Sequence, residues 1–149
     1  MLFFIGNRYS IFGTQAFTWK IARFDSKIFA YLNGTAIMNQ LFVYGTLCPN
    51  RENAHILGGI GGDWQKASVH GTIHILDWGP DKGLPALVLA EQDPLIMGYL
   101  FSTEKLEQNW QMLDEFEGFQ YERVVAEVIL ESGEKIHAWT YVMKPQELK

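Results

Sequence analysis

Short apolar runs separated by turn-forming stretches dominate the chain from residue 40 onward. Residues 40–44 form an apolar run closed by a glycine, which indicates a buried strand that leads into a tight loop. Further strands are predicted at residues 64–76, 84–90 and 95–102, and a two-stranded hairpin at 121–143 with a Ser-Gly-Glu turn. About six strands with few helices between them favour an α+β fold, either a curled mixed sheet or a small barrel.

Two helices complete the pattern, a brief one at residues 51–59 and a longer one at residues 103–117 that ends at a glycine. On the longer helix, Leu106, Trp110 and Leu113 recur at the spacing that places them on one face. Glu117 falls within roughly 20° of the centre of that apolar face. Burial of an unpaired charge costs several kcal/mol or makes the group take up a proton, so the position of this carboxylate needs an explanation.

Two interpretations of Glu117 are open from the local sequence. In the structural one, the carboxylate at the helix end pairs with Arg123 a few residues later. In the chemical one, Glu117 is a general base, because desolvation and the partial negative charge of a helix C-terminus both raise the pKa of a carboxyl group. A raised pKa would suit proton transfer near neutral pH.

The loop Tyr44–Leu47, which reads YGTL, is a second candidate for chemistry. A glycine directly after a strand allows backbone N–H groups to approach a ligand closely, as they do in anion-binding loops. The alternative is an ordinary turn between a strand and a helix. The four letters alone do not separate these interpretations.

Composition excludes several other classes of protein. The 149 residues suit a single domain, and 48% hydrophobic with 19% charged residues indicates a globular chain. The net charge is −5 and no run of Lys or Arg occurs, so no nucleic-acid partner is expected. No apolar run reaches the roughly 20 residues of a membrane span.

The single cysteine, Cys48, suits a reducing compartment, so a cytoplasmic location is expected. His70 and His74 lack a third ligand at metal-binding spacing, so no metal site is predicted.

Residues 1–37 differ from the remainder in charge. They carry four basic residues against one acid, a net charge of +3 that leaves −8 for residues 38–149. The sequence therefore predicts an N-terminal extension at 1–37 and one domain at 38–149, with Met38 as the start of the domain. A low acid content is also typical of organellar transit segments, but the many bulky aromatic residues argue against one.

Five motifs together resemble the gamma-glutamylcyclotransferase-like family, most closely its gamma-glutamylamine cyclotransferase branch. The resemblance covers about residues 40–143 and leaves the extension outside. The motifs are YGTL at 44–47, LPALV at 84–88, MGYLF at 97–101, LDEFEGFQYER at 113–123 and AWTYV at 138–142.

The resemblance implies a small barrel of mixed strands with the site at one mouth, a small-molecule gamma-glutamyl substrate, and release of 5-oxoproline without a cofactor or metal. Glu117 would be the catalytic proton acceptor. The substrate-binding residues that it implies are Tyr44, Gly45, Thr46, Leu47, Tyr121 and Arg123. Tyr121 and Arg123 match the Y-x-R of the motif and are expected to support the site and its ion pairing.

A binding or scaffold protein on the same fold is the alternative to an enzyme. Such a protein would be expected to lose Glu117 or Gly45, and both are present, which favours the enzyme. The identity of the leaving amine is open, because that half of the substrate would meet loops such as residues 76–83. The sequence carries no signal of the oligomeric state.

Overall fold

The computed structural model describes residues 39–145, and the predicted extension at 1–37 lies outside the described residues. The described part contains six strands, two α-helices and one 3-10 turn. In chain order they are β1 Gln40–Val43, α1 Ala54–Ile60, β2 Asp63–Ile75, β3 Pro85–Leu89, β4 Leu95–Ser102, the 3-10 turn Glu107–Asn109, α2 Trp110–Glu117, β5 Tyr121–Leu130 and β6 Lys135–Met143.

Five of the strands close into a barrel in the order β2-β4-β1-β6-β5, and β5 returns to β2 through Ala67–Leu130 and Ser68–Ile129. The pairing of β1 with β6 is parallel, and the other pairings are antiparallel. β3 lies outside the ring and pairs with the second half of β2, at residues 71–75. The predicted α+β class and the small mixed barrel of about six strands with flanking helices are confirmed.

Alternation along the strands supplies the barrel core. In β5, Val124, Ala126 and Val128 are buried, as the predicted inward face requires, and Leu130 at the strand end is half-buried. The apolar stripe before and along α2 is also buried: Leu106 and Leu113 are 0% exposed. This packing places the last turn of α2 against the barrel, and with it Glu117.

The long helix predicted at 103–117 is wrong at its start. Regular α-helix begins only at Trp110, after the 3-10 turn. Two polar side chains in this region bond to backbone groups and so compete with the hydrogen bonds of an α-helix. Thr103 Oγ1 accepts the N–H of Lys105 at 3.3 Å, and Asn109 Nδ2 donates to the carbonyl of Lys105 at 2.8 Å. The tighter turn still buries Leu106, so the apolar spacing persists although the helix is shorter.

The parallel β1–β6 contact is short, with two residue pairs, Leu41–Trp139 and Phe42–Thr140. Thr140 is fully buried, and its Oγ1 donates to the carbonyl of Phe42 at 3.0 Å. The side chain thus adds a hydrogen bond where the barrel has little backbone pairing.

Thr140→Val should therefore lower the free energy of unfolding by about 1 to 2 kcal/mol, because the buried Phe42 carbonyl loses its hydroxyl donor. Urea unfolding of this variant and of a Thr72→Val control, whose hydroxyl lies at the surface beside His74, measures the difference. Equal midpoints for the two variants would contradict this role of Thr140.

Candidate active site

A cavity of about 240 Å³ opens where the end of β1, the loop after it, the turn before β3 and the end of α2 meet. Six of the seven residues proposed from the sequence line it: Tyr44, Gly45, Thr46, Leu47, Glu117 and Tyr121. The other lining residues are Phe42, Val43, Asn53, Asp81, Leu84, Pro85, Phe116 and Tyr141. The structure thus brings the strand-end loop and the helix-end carboxylate to one space.

Glu117 is the last residue of α2, and its side chain is partly buried. Burial, followed by the negative charges of Asp81 and Asp114, raises its pKa from 4.5 to about 7. Gly118, at φ +88°, ends the helix with its N–H bonded to the carbonyl of Asp114. Among residues 39–145, no hydrogen bond or ion pair holds the Glu117 carboxylate. This carboxyl can therefore gain and lose a proton near neutral pH.

The loop after β1 is a compact turn in which the N–H of Cys48 bonds to the carbonyl of Gly45 at 3.1 Å. Asn53, at the start of α1, holds the loop twice: its backbone N–H donates to the carbonyl of Thr46 and its Nδ2 donates to Thr46 Oγ1, both at 3.0 Å. Within the described region, the N–H groups of Thr46 and Leu47 have no backbone acceptor. Both residues line the cavity, so their N–H groups are candidate donors to a ligand.

Gly45 does not have a positive φ, so the glycine is not required there by left-handed backbone geometry. A Cβ at this position would lie 3.5 Å from the side chain of Pro85, an ordinary contact. What the absent side chain provides is space at the cavity wall, between the loop and the start of β3.

The tyrosine hydroxyls nearest the loop are bonded to the protein backbone. Tyr44 donates to the carbonyl of Tyr141 at 2.7 Å and accepts the N–H of Leu87 at 3.2 Å. Tyr121 donates to the carbonyl of Pro85 at 2.8 Å. Burial raises the pKa of both phenols, which keeps them neutral. These bonds tie the two tyrosines to the backbone at Tyr141, Leu87 and Pro85.

Arg123 lies outside the cavity lining. Its guanidinium bonds to both carboxylate oxygens of Asp114, at 2.9 and 3.2 Å. It also stacks on two tryptophans, 4.1 Å from the ring centroid of Trp110 and 4.7 Å from that of Trp139. The interpretation of Glu117 as the partner of Arg123 is therefore wrong, because Asp114, one turn earlier on α2, takes the guanidinium.

Asp114 links this ion pair to the cavity. Its Oδ1 accepts a hydrogen bond of 2.6 Å from the hydroxyl of Tyr141, a residue of the cavity lining. Burial and the neighbouring Asp114 carboxylate raise the pKa of the Tyr141 phenol. Arg123, Asp114 and Tyr141 thus form a chain of contacts behind Glu117.

Asp81 and Asn53 are cavity residues that the sequence did not single out. Asp81 lies in the turn predicted between β2 and β3, and burial raises its pKa. A turn sequence predicts the reversal of the chain but not the direction of one carboxylate.

Across the described ranges, no group of three or more His, Cys, Asp and Glu is arranged to hold a metal ion. No helix in the same part of the chain is long and apolar enough to cross a bilayer.

The sequence of this chain matches a family model and a curated relative, and both are AIG2-like. The model of the family described as "Gamma-glutamyl cyclotransferase, AIG2-like" matches residues 41–149. AIG2-like protein D of Arabidopsis thaliana is 31% identical over 120 residues, which cover 74% of this chain and 71% of that protein.

Solved structures share the fold. An AIG2-like protein from Mus musculus superposes with a TM-score of 0.57 at 22% identity, over 74% of this chain and 82% of the mouse protein. YkqA from Bacillus subtilis superposes with a TM-score of 0.55 at 25% identity, over 72% of this chain. The chain spans only 36% of the length of the Bacillus protein.

Proposed function

Because the chain belongs to the gamma-glutamyl cyclotransferase, AIG2-like family, we propose that it is an enzyme that releases 5-oxoproline from a gamma-glutamyl amine, amide or peptide. The fold class and the family support a cyclotransferase at this level.

The observation that carries the proposal is the position of Glu117. Its carboxyl lines the same cavity as the Tyr44–Leu47 loop and has a pKa raised to about 7. A group with this pKa is partly ionised at neutral pH and can both accept and return a proton. The cavity thus combines a proton carrier with backbone donors that can hold an anionic or developing negative group.

The reaction needs little more than a folded substrate and a base. The α-amine of the gamma-glutamyl group attacks the gamma-carbonyl carbon and closes a five-membered lactam ring. The nucleophile and the electrophile belong to one molecule, so holding the substrate in a bent conformation supplies much of the rate enhancement. The nucleophile is the amine of the substrate, so the proposed mechanism includes no metal and no cofactor.

Proton movement is the part assigned to Glu117. The α-amine is mostly protonated at neutral pH, and ionised Glu117 takes one of its protons so that the nitrogen lone pair can form the new C–N bond. The tetrahedral intermediate then expels the amine, and protonated Glu117 returns the proton to the departing nitrogen. The ring nitrogen still carries one extra proton after the attack, and the regenerated carboxylate passes this proton to the released amine. The products are therefore 5-oxoproline and the protonated amine, and the carboxylate is regenerated.

The loop is assigned to binding. The N–H groups of Thr46 and Leu47 can donate to the α-carboxylate of the substrate or to the carbonyl oxygen as it gains negative charge. Asn53 keeps the loop in one conformation by its two bonds to Thr46. A fixed donor geometry requires no reorganisation during the reaction.

The experiment that tests the proposal is a set of gamma-glutamyl amines, amides and peptides incubated with the purified protein, with release of 5-oxoproline quantified. At least one compound should release product, and a chelator should leave the rate unchanged. Failure of the folded protein to release product from any compound would overturn the enzyme assignment. Binding of 5-oxoproline without turnover would instead indicate a binding protein on this fold.

A further inference from the structure

The turn between β2 and β3 forms part of the cavity wall, and Asp81 is its charged residue in the lining. Asp81 and Leu84 in this turn line the cavity together with Phe116 of α2. A Cβ on Gly118 would lie 3.2 Å from Oδ2 of Asp81, so this carboxylate lies against the end of α2. Its charge reaches the neighbouring Glu117 carboxyl. Asp81 therefore faces the cavity rather than the outer surface of the turn.

A buried glutamine fixes the position of this turn. Gln120 is 0% exposed; its Nε2 donates to the carbonyl of Trp78 at 3.2 Å, and its Oε1 accepts the N–H of Asp81 at 3.4 Å. Gly79, at φ +83°, packs so closely that a Cβ there would lie 2.5 Å from Gln120 Oε1. Since Gln120 lies three residues after Glu117, its bonds to the turn also fix the turn relative to the end of α2, where the proposed base lies.

The residues that line the cavity can be assigned to the two halves of a gamma-glutamyl substrate. Glu117 and the loop donors serve the gamma-glutamyl half of the substrate under the proposed function. Among the other lining residues, Asp81 and Leu84 belong to the turn before β3 and Phe116 to the end of α2. Both charged residues of the described lining, Asp81 and Glu117, are acidic, and no Lys, Arg or His lines the cavity with them.

Resting on the proposed function, we propose that Asp81, Leu84 and Phe116 form a leaving-group subsite that selects amines carrying a second, positively charged group beyond a short apolar stretch. Gamma-glutamyl derivatives of diamines have this chemistry, since their methylene chain can lie against Leu84 and Phe116 while the ammonium faces Asp81. Derivatives of amino acids bring a carboxylate toward Asp81 and are disfavoured by repulsion between like charges.

The test uses three gamma-glutamyl amides of equal chain length. Their leaving amines are 1,4-diaminobutane, n-butylamine and 4-aminobutyrate, which end in a cation, a methyl group and an anion. The kcat/KM of the wild-type protein should be highest for the diamine derivative and lowest for the aminobutyrate derivative. The spread should shrink as salt is added, because the cavity is open to solvent and the charges are screened.

Asp81→Asn should lower the ratio of kcat/KM for the diamine derivative over the butylamine derivative about tenfold, as expected for loss of a partly screened charge pair. Asp81→Lys should reverse the order of the two charged substrates. The ratio between substrates is the readout because loss of the Asp81 charge also lowers the pKa of Glu117, and that effect is common to all three compounds.

Asp77→Asn is the matched control, since Asp77 precedes the same turn, is exposed, and is absent from the cavity lining. Its ratio should equal that of the wild type. Turnover of all three compounds with an unchanged ratio in folded Asp81→Asn would overturn the subsite while leaving the proposed function intact. Absence of turnover for every gamma-glutamyl compound would overturn the proposed function, and the subsite with it.

Discussion

Glu117→Gln is expected to reduce 5-oxoproline formation by a factor of about 10² to 10⁴, the usual contribution of a general acid–base group. Glutamine keeps the size and shape of the side chain but cannot accept the proton of the α-amine. Affinity for 5-oxoproline should persist, because the loop donors and the cavity walls are unchanged. Steady-state kinetics and a calorimetric titration on one preparation separate these two effects.

The same substitution should stabilise the protein at alkaline pH. The pKa of Glu117 is raised from 4.5 to about 7, so the folded chain holds this proton more tightly than the unfolded chain. That contribution to stability is complete below about pH 4.5 and is lost as the pH rises through about 7. At pH 8 the free energy of unfolding of Glu117→Gln should exceed that of the wild type by about 1 to 3 kcal/mol, and the difference should vanish near pH 4.

Glu115→Gln supplies the control for this experiment. Glu115 is on the same helix, but it is exposed and bonded to Gln111 at the surface. This variant should keep the wild-type rate and stability profile. A wild-type rate from folded Glu117→Gln would contradict the proposed mechanism, and a loss of stability at pH 8 would contradict the assignment of a costly partly buried charge.

Arg123→Ala should have the largest effect on stability, a loss of about 2 to 3 kcal/mol in the free energy of unfolding. The variant removes the stacking on Trp110 and Trp139 and leaves the Asp114 carboxylate without its cation. The side chain of Asp114 is 44% exposed, so solvent screens part of the lost ion pairing. Chemical denaturation monitored by tryptophan fluorescence measures the loss.

Arg123→Lys tests which property of the side chain matters. Lysine keeps the charge but lacks the planar fork that bonds both oxygens of Asp114, so it should recover less than half of the lost stability. Lys135→Ala, which removes an exposed pair at 3.8 Å from Glu127, should change little. If Arg123→Ala kept its stability but lost substrate affinity, Arg123 would be a substrate contact instead.

The α+β class and the position of Glu117 were predictable because both depend on periodic burial, whereas the choice of a barrel over a curled sheet came from the family resemblance. Alternation along the strands and the spacing of Leu106, Trp110 and Leu113 encode which side of each element faces the interior. Glu117 was identified by the same periodicity, because it continues an apolar face. The family motifs then associated the helix end with the YGTL loop, and the structure places both at one cavity.

Features that depend on contacts between distant segments were not readable from the pattern. Nearness in sequence suggested Arg123 as one possible partner of Glu117, but in the structure Arg123 bonds to Asp114 and stacks on two tryptophans. Asp81 belongs to a turn that is held by hydrogen bonds with Gln120, and no pattern in the sequence predicts burial of this polar residue. The helix began late because Asn109 bonds locally to the backbone.

The parallel contact between β1 and β6 has a consequence for the order of assembly during synthesis. Thr140 bonds to Phe42 across 98 residues of chain, and Tyr44 bonds to Tyr141 across 97. β1 and the loop after it therefore leave the ribosome before the other strands of the barrel, and β6 leaves after them. Until β6 has been synthesised, Leu41 and Phe42 lack the strand that pairs with them in parallel, and Tyr44 lacks the Tyr141 carbonyl to which its hydroxyl donates. Distant pairing of this kind slows folding and keeps apolar surface exposed in the nascent chain.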